Sequence, residues 1–274
     1  MSITKYARHI PLAEYQDRLA EHFVMERNDG VLEVRFHTNG GEAVWSFELH
    51  RAIGQMFQAV GQDPENEVLL LTGTGDKWLM KRDLESFSSE DVLKPNYDSW
   101  YVDGSRLVES LLWSVDIPTI SVINGPGSHT EFGLLCDLTI AADDARFFEP
   151  HFFLGVVPGD GQFLVYQQLL GLKRANHAMY LRETGIGAAE ALEWGMVGEV
   201  LPREKLMSRA REIAQLIMRQ PRVIRRLTTQ VAKRPWRRLV QDDFGMHLAT
   251  EAFAGNLSPR PVDNFRRVDA SQSR

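Results

Sequence analysis

Arg146-Phe-Phe-Glu-Pro-His-Phe-Phe-Leu-Gly-Val-Val-Pro-Gly-Asp-Gly161 is the stretch on which the reading of this chain turns. Phe147 and Phe148 form a strand-like run, and Glu149-Pro150 stops it, because proline offers no N–H to a sheet ladder. His151 follows at once, flanked by Phe152 and Phe153. Pro158-Gly159-Asp160-Gly161 is a glycine-punctuated turn before a helix-like run from Phe163 to Leu170. His151 and Asp160, both able to move protons, thus stand at the two ends of one short apolar loop. A carboxylate that orients an imidazole makes a general base that works near neutral pH. The plainer reading packs His151 among the phenylalanines and leaves Asp160 to cap the next helix.

The rest of the composition narrows the choice. The chain has 274 residues, 43% hydrophobic and 25% charged, enough for one sizeable core. A net charge of −6 and a pI near 5.8 argue against a nucleic-acid partner. The single cysteine, Cys136, leaves no internal disulfide to form and sits in an apolar run. Met1 to Arg8 carries charge and no apolar segment of the signal-peptide kind, and no apolar run approaches a membrane span. The expectation is a cytoplasmic protein with no membrane partner.

Outward from the central stretch, the pattern is strand and helix in alternation. A short helix is expected near Leu12 to Leu19. Phe23 to Arg27 and Val31 to His37 flank Asn28-Asp29-Gly30, a hairpin signature. Ser46 is a candidate N-cap for a helix to about Val60. Val68 to Thr72 and Thr119 to Ile123 are apolar runs of the kind found in strands covered on both faces. Lys77 to Pro95 reads as loop, and Asp98 to Trp113 as helix. His129, Thr130 and Glu131 open a helix through Leu135, and Leu138 to Ala142 and Ala145 to Phe148 are further strands. Beyond Asp160 the chain reads as helices: Phe163–Leu170, Arg174–Leu181, Ala188–Trp194, Glu204–Met218, Arg222–Lys233 and Leu239–Phe253. The sum is an α/β core followed by a helical part. Gly73-Thr74-Gly75 lacks the third glycine of a dinucleotide loop.

In this order, from about Phe23 to Phe253, the features resemble the crotonase (enoyl-CoA hydratase/isomerase) superfamily. Val68-Leu-Leu-Leu-Thr-Gly-Thr-Gly75 resembles the strand and turn before that family's first oxyanion loop, whose place is taken by Trp78 to Leu84. Ile117-Pro118 to Asn124-Gly125, then Cys136-Asp137-Leu138-Thr139-Ile140-Ala141-Ala142, resembles the second oxyanion region. Gly155 to Gly161 resembles the Gly-x-x-Pro-x-x-Gly turn, and Thr184 to Val200 the helix and strand that follow it. The resemblance implies a ββα spiral core over residues 1–200 and a helical oligomerisation part with a polar tail over 201–274. It implies homotrimers or dimers of trimers, with Leu227, Val231, Trp236 and Leu239 at the contact.

The departures from that pattern point to chemistry. The glycine-rich second segment reads Gly127-Ser128-His129-Thr130-Glu131 here, and Met80-Lys81-Arg82 stands where Ala-Gly-x is usual. Pro150-His151 replaces a Pro-Glu, and Asp160 replaces a small residue. This set resembles the β-diketone hydrolase (6-oxocamphor hydrolase) branch, which shares a Trp after a glycine loop (Trp45) and a late helix bearing Glu251. The loop before His129 is one residue shorter than in that branch, and Lys81 and Arg82 have no counterpart there. The implied activity is retro-Claisen cleavage of a C–C bond in a cyclic or bicyclic β-diketone by water, with neither cofactor nor metal. In that reading His151 with Asp160 activates water, and His129 with the Trp45 indole binds carbonyl and enolate oxygens. Glu251 holds His129 or a water, and Met80, Glu131 and Phe152 join Trp45 around a small apolar diketone. His37, His50 and His177 read as structural. The competing readings are a CoA-thioester hydratase or isomerase with Lys81 and Arg82 near the nucleotide phosphates, and a non-catalytic scaffold. A metal held by His129, Glu131, His151 and Asp160 is also conceivable, though the spacing matches no compact ligand motif.

Overall fold

The computed structural model describes residues 9–83, 97–258, 264 and 266–268. Helix α1 (Leu12–Arg18) leads into the hairpin β1 (Phe23–Asn28) and β2 (Val31–Phe36), paired antiparallel with Asn28 opposite Val31. Asp29 and Gly30 both have positive φ, 49° and 82°, which a two-residue turn needs to match the strands' twist. A short strand β3 (Val44–Trp45) precedes α2 (Phe47–Gln62), and Ser46 caps that helix by accepting the Leu49 N–H at 3.1 Å. β4 (Val68–Gly73) is buried at every residue, as its unbroken apolar run requires. β5 (Lys81–Arg82) pairs parallel with β3, Trp45 opposite Arg82.

The helical stretch α3 (97–114) has an α-helical centre, Asp103–Glu109, between π-helical turns Tyr97–Val102 and Ser110–Ser114. Then come β6 (Thr119–Ile123), the one-turn helix α4 (Glu131–Leu134), β7 (Leu138–Ala142) and β8 (Arg146–Phe147). Residues 151–154 are not loop, as the sequence suggested, but a single turn, α5 (His151–Leu154), closed by Gly155 at φ 76°. A left-handed glycine is the usual way to stop a helix. α6 (Gln162–Leu170), α7 (Leu172–Leu181), β9 (Ile186–Gly187), α8 (Ala188–Glu193) and β10 (Glu199–Leu201) complete the α/β part. The helical C-terminal region is α9 (Arg203–Met218), α10 (Arg222–Ala232), α11 (Arg234–Leu239) and α12 (Gly245–Leu257), with a π-helical turn Val240–Phe244 before the last.

The main sheet has the order β1-β2-β4-β6-β7-β10, parallel apart from the β1–β2 hairpin. The turns at the C-terminal ends of β4 and β6 therefore lie side by side. They touch closely: the Gly127 backbone passes where a Cβ would lie 2.5 Å from Leu79 N, so no larger residue fits. On α10, Leu227 and Val231 are exposed, whereas Trp236 and Leu239 on α11 pack against the core. Among the described residues, no helix is long and apolar enough to cross a membrane. Leu84 and the rest of the expected loop to Pro95, the first eight residues and most of the polar tail lie outside the described residues.

Candidate active site

Trp45, His129, His151, Asp160 and Glu251 line one cavity, with Phe47, Trp100, Leu154, Val156 and Leu248 supplying most of its apolar wall. Five separate elements deliver these side chains. β3 ends on Trp45, and the turn after β6 carries His129. α5 begins at His151, the turn before α6 carries Asp160, and α12 carries Glu251. Gly159 lets the Asp160 turn lie directly on α12, since a Cβ there would sit 2.4 Å from the His247 carbonyl oxygen and 2.6 Å from Glu251 Cβ.

The two histidines and Asp160 form a cluster. Asp160 Oδ2 lies 3.1 Å from His129 Nδ1 and 3.2 Å from His151 Nε2. At these distances Asp160 interacts with both rings as a charged neighbour. The imidazoles meet edge to face, with centroids 5.8 Å apart. Trp45 stacks on His129 at 3.7 Å between ring centroids. Glu131 Oε1 is 3.5 Å from His129 Nδ1.

The electrostatics follow from burial and from the carboxylates. Burial disfavours the charged form of His129, but its interactions with Asp160 and Glu131 outweigh burial and hold its pKa up at about 9. Burial opposes charge on His151 too, yet the carboxylates of Asp160 and Glu149 hold its pKa well above the usual imidazole value. For Asp160, burial works against ionisation, and the two imidazoles overcome it and hold the carboxyl well below its usual range. Burial pushes the Glu131 carboxyl up.

His129 adopts a left-handed backbone, φ 50°. That conformation costs a residue with a Cβ about 1–2 kcal/mol and is where glycine is at ease. The imidazole therefore occupies the turn against a backbone preference, as happens at functional sites. The surrounding backbone donors are engaged within the protein: Gly127 N–H with the Arg146 carbonyl at 2.9 Å, Ser128 N–H with Leu79 at 3.0 Å, and Thr130 N–H with Gln162 Oε1 at 2.7 Å.

The other expected residues fall elsewhere. Glu131 is buried behind His129, and Met80 is half-buried and not part of the cavity wall. Phe152 is 49% exposed and packs edge to face on Tyr180 at 4.9 Å, outside the cavity lining. Strand alternation separates Lys81 from Arg82. Lys81 pairs with Glu42 at 3.0 Å, and Arg82 lies in the cavity wall, 3.4 Å from Ser128 Oγ.

Three residues were not singled out by the sequence. Glu149 Oε1 lies 2.6 Å from His151 Nδ1. Gln162 is buried and bonded to the Glu149 carboxyl. His50, read as structural, instead lines the cavity beside Trp45, and burial followed by the charge of His129 pushes its pKa down to about 4. His129, His151 and Asp160 also bring three ligand atoms within 4.8 Å of one another, so a small cation would meet these side chains first.

A family model described as enoyl-CoA hydratase/isomerase matches residues 26–249. Carnitinyl-CoA dehydratase from Escherichia coli strain K12 is 32% identical over 206 residues, 73% of this chain and 76% of that one. A β-diketone hydrolase from the cyanobacterium Anabaena sp. PCC 7120, solved with (S)-3-oxocyclohexyl acetic acid bound, superposes with a TM-score of 0.83 and 35% identity over 89% of this chain and 97% of that chain. An enoyl-CoA hydratase from Bacillus anthracis superposes with a TM-score of 0.68 and 25% identity, covering 86% and 91%. The chain belongs to the enoyl-CoA hydratase/isomerase family, the crotonase superfamily, and has its α/β fold with a helical C-terminal region.

Proposed function

We propose that the protein is a cofactor-independent hydrolase that cleaves a C–C bond of a cyclic or bicyclic β-diketone by a retro-Claisen reaction. The observation that carries this reading is the His129–Asp160–His151 cluster in a cavity whose wall includes Trp45, Phe47, Trp100, Leu154, Val156 and Leu248. The similarity to the Anabaena β-diketone hydrolase supports it.

Water loses a proton and adds to one carbonyl carbon. The resulting alkoxide re-forms a C=O, the adjacent C–C bond breaks, and its electron pair leaves as the enolate of the second carbonyl. The enolate carbon takes up a proton, so the product is a keto acid, the diketone plus one water. His151 suits the proton-transfer role, and His129, positively charged through neutral pH, suits stabilisation of the oxyanions. Because a carboxylate stands at each ring nitrogen of His151, the resting ring favours its doubly protonated form. It must release a proton before it accepts one from water, so turnover should rise as pH rises above neutral.

The test is mass spectrometry of a bicyclic β-diketone incubated with purified protein and a chelator. Gain of one water, lost by about 10²-fold or more in His151→Ala, is the expected result. No turnover across several ring sizes would overturn the reading. A second reading rests on the 32% identity to carnitinyl-CoA dehydratase and on Arg82 in the cavity wall, where a cation can meet a CoA phosphate. Hydration of an enoyl-CoA, with the diketone untouched, would establish it instead.

A further inference from the structure

We propose that Glu149, itself fixed by Gln162, is the positioning residue that sets the tautomer and the aim of the His151 imidazole. The inference rests on the reading of His151 as the proton-transfer group.

Glu149 grips His151 twice. Its Oε1 lies 2.6 Å from the ring Nδ1 and accepts the backbone N–H of the same residue at 3.2 Å. Proline between them, Pro150, fixes the turn that brings the acid back onto the ring two residues on. Glu149 is 3% exposed, so water does not compete for these contacts. A carboxylate at Nδ1 keeps a proton there, which makes Nε2 the nitrogen that gives and takes the reacting proton. Nε2 faces Asp160. The orienting carboxylate is thus Glu149, and Asp160 stands on the working side of the ring.

Gln162 holds the arrangement together. Its Nε2 donates to Glu149 Oε2 at 3.2 Å and to the Phe148 carbonyl at 2.5 Å. Its Oε1 accepts the Thr130 N–H at 2.7 Å, one residue beyond His129. Its own backbone N–H donates to Asp160 Oδ1 at 3.2 Å. One fully buried amide therefore links the His129 turn, the Glu149–His151 turn and the Asp160 turn, and leaves Glu149 little freedom to rotate away. The other titratable groups facing His151 are Asp160 and His129, with His50 and Glu251 in the same cavity wall.

A buried acid that merely satisfies its turn would show the same distances, so the test must read the imidazole. The experiment is a pH titration of the His151 ring in full-length protein labelled with 15N-histidine, with no substrate, comparing wild type with Glu149→Gln. The glutamine keeps the shape and removes the charge. Wild type should hold the proton on Nδ1 when the ring is neutral. Glu149→Gln should lose that preference and titrate at lower pH, because an anion that favours the imidazolium has gone. With a diketone substrate, kcat should fall by about 10²-fold with little change in KM, and its rise with pH should move to lower pH. Gln162→Met should shift the titration in the same direction by less. Should Glu149→Gln not fold, Glu149→Asp carries the test, since it keeps the charge but withdraws it by one methylene. A ring that titrates as in wild type and keeps its tautomer in the variant that folds overturns the proposal. The titration needs no substrate, so a failure of the diketone reading would show only in the turnover arm.

Discussion

His129 shows how much a single residue can disclose. Its φ of 50° belongs to glycine, and its ring is held by Trp45, Asp160 and Glu131. A substitution series separates the two effects. His129→Gly should unfold at a higher denaturant concentration than His129→Ala, by about 1 kcal/mol, because the left-handed backbone penalises a Cβ. Both should lose diketone turnover. In a right-handed helix or strand the order would be the reverse, with alanine the more stable, so urea unfolding of the two variants decides whether the backbone here is strained. The sequence named His129 through its resemblance to a known branch, but it held no sign of the positive φ, which depends on the crossing with the Leu79 turn.

Among elements, the turn before α6 matters most, because it delivers Asp160 between two imidazoles that come from different parts of the chain. Its position is set by contact with α12 at Gly159. Gly159→Ala places a methyl within 2.4 Å of a helix backbone oxygen that has no free direction in which to move. The expected outcome is a loss of about 1–3 kcal/mol in stability, together with loss of turnover beyond what the stability change explains, since Asp160 moves with the turn. A variant with wild-type melting and wild-type turnover would show that turn and helix are not locked. The sequence marked this turn as glycine-punctuated, and could not show that the partner was α12, about ninety residues away.

At the scale of the whole molecule, the buried site makes stability depend on pH from both sides. His50 has its pKa lowered from 6.5 to about 4, so as pH falls through that window the unfolded chain binds a proton that the folded chain refuses, and stability falls. His129 has its pKa raised from 6.5 to about 9, so the stability it contributes is complete below 6.5 and is lost as pH climbs through 9. Asp160, held low, adds a loss only below about 3.8. Taken together, His50 and His129 contribute most near pH 6.5. Melting temperatures across the pH range should show that maximum, and His50→Leu should flatten its acid side. A profile unchanged by the substitution would mean that the cavity does not refuse the proton.

The sequence by itself determined the alternation of buried strands and helices, the Asp29-Gly30 hairpin, the Ser46 cap and the family. These rest on local periodicity, turn chemistry and motifs that lie within a few residues of one another. It also placed Trp45, His129, His151, Asp160 and Glu251 as candidates, and the structure brings all five to one cavity. Only the tertiary structure decided which nitrogen of His151 meets which carboxylate, because Glu149 and Asp160 approach the ring from opposite sides. It alone moved Phe152 outward and His50 inward, since the one-turn helix at His151 rotates its second residue onto Tyr180 while α2 turns its first coil toward the cavity. Gln162 was illegible in the sequence for the same reason: an amide in an apolar run has no pattern of its own, and its importance lies in three backbone segments that become neighbours only when the chain folds.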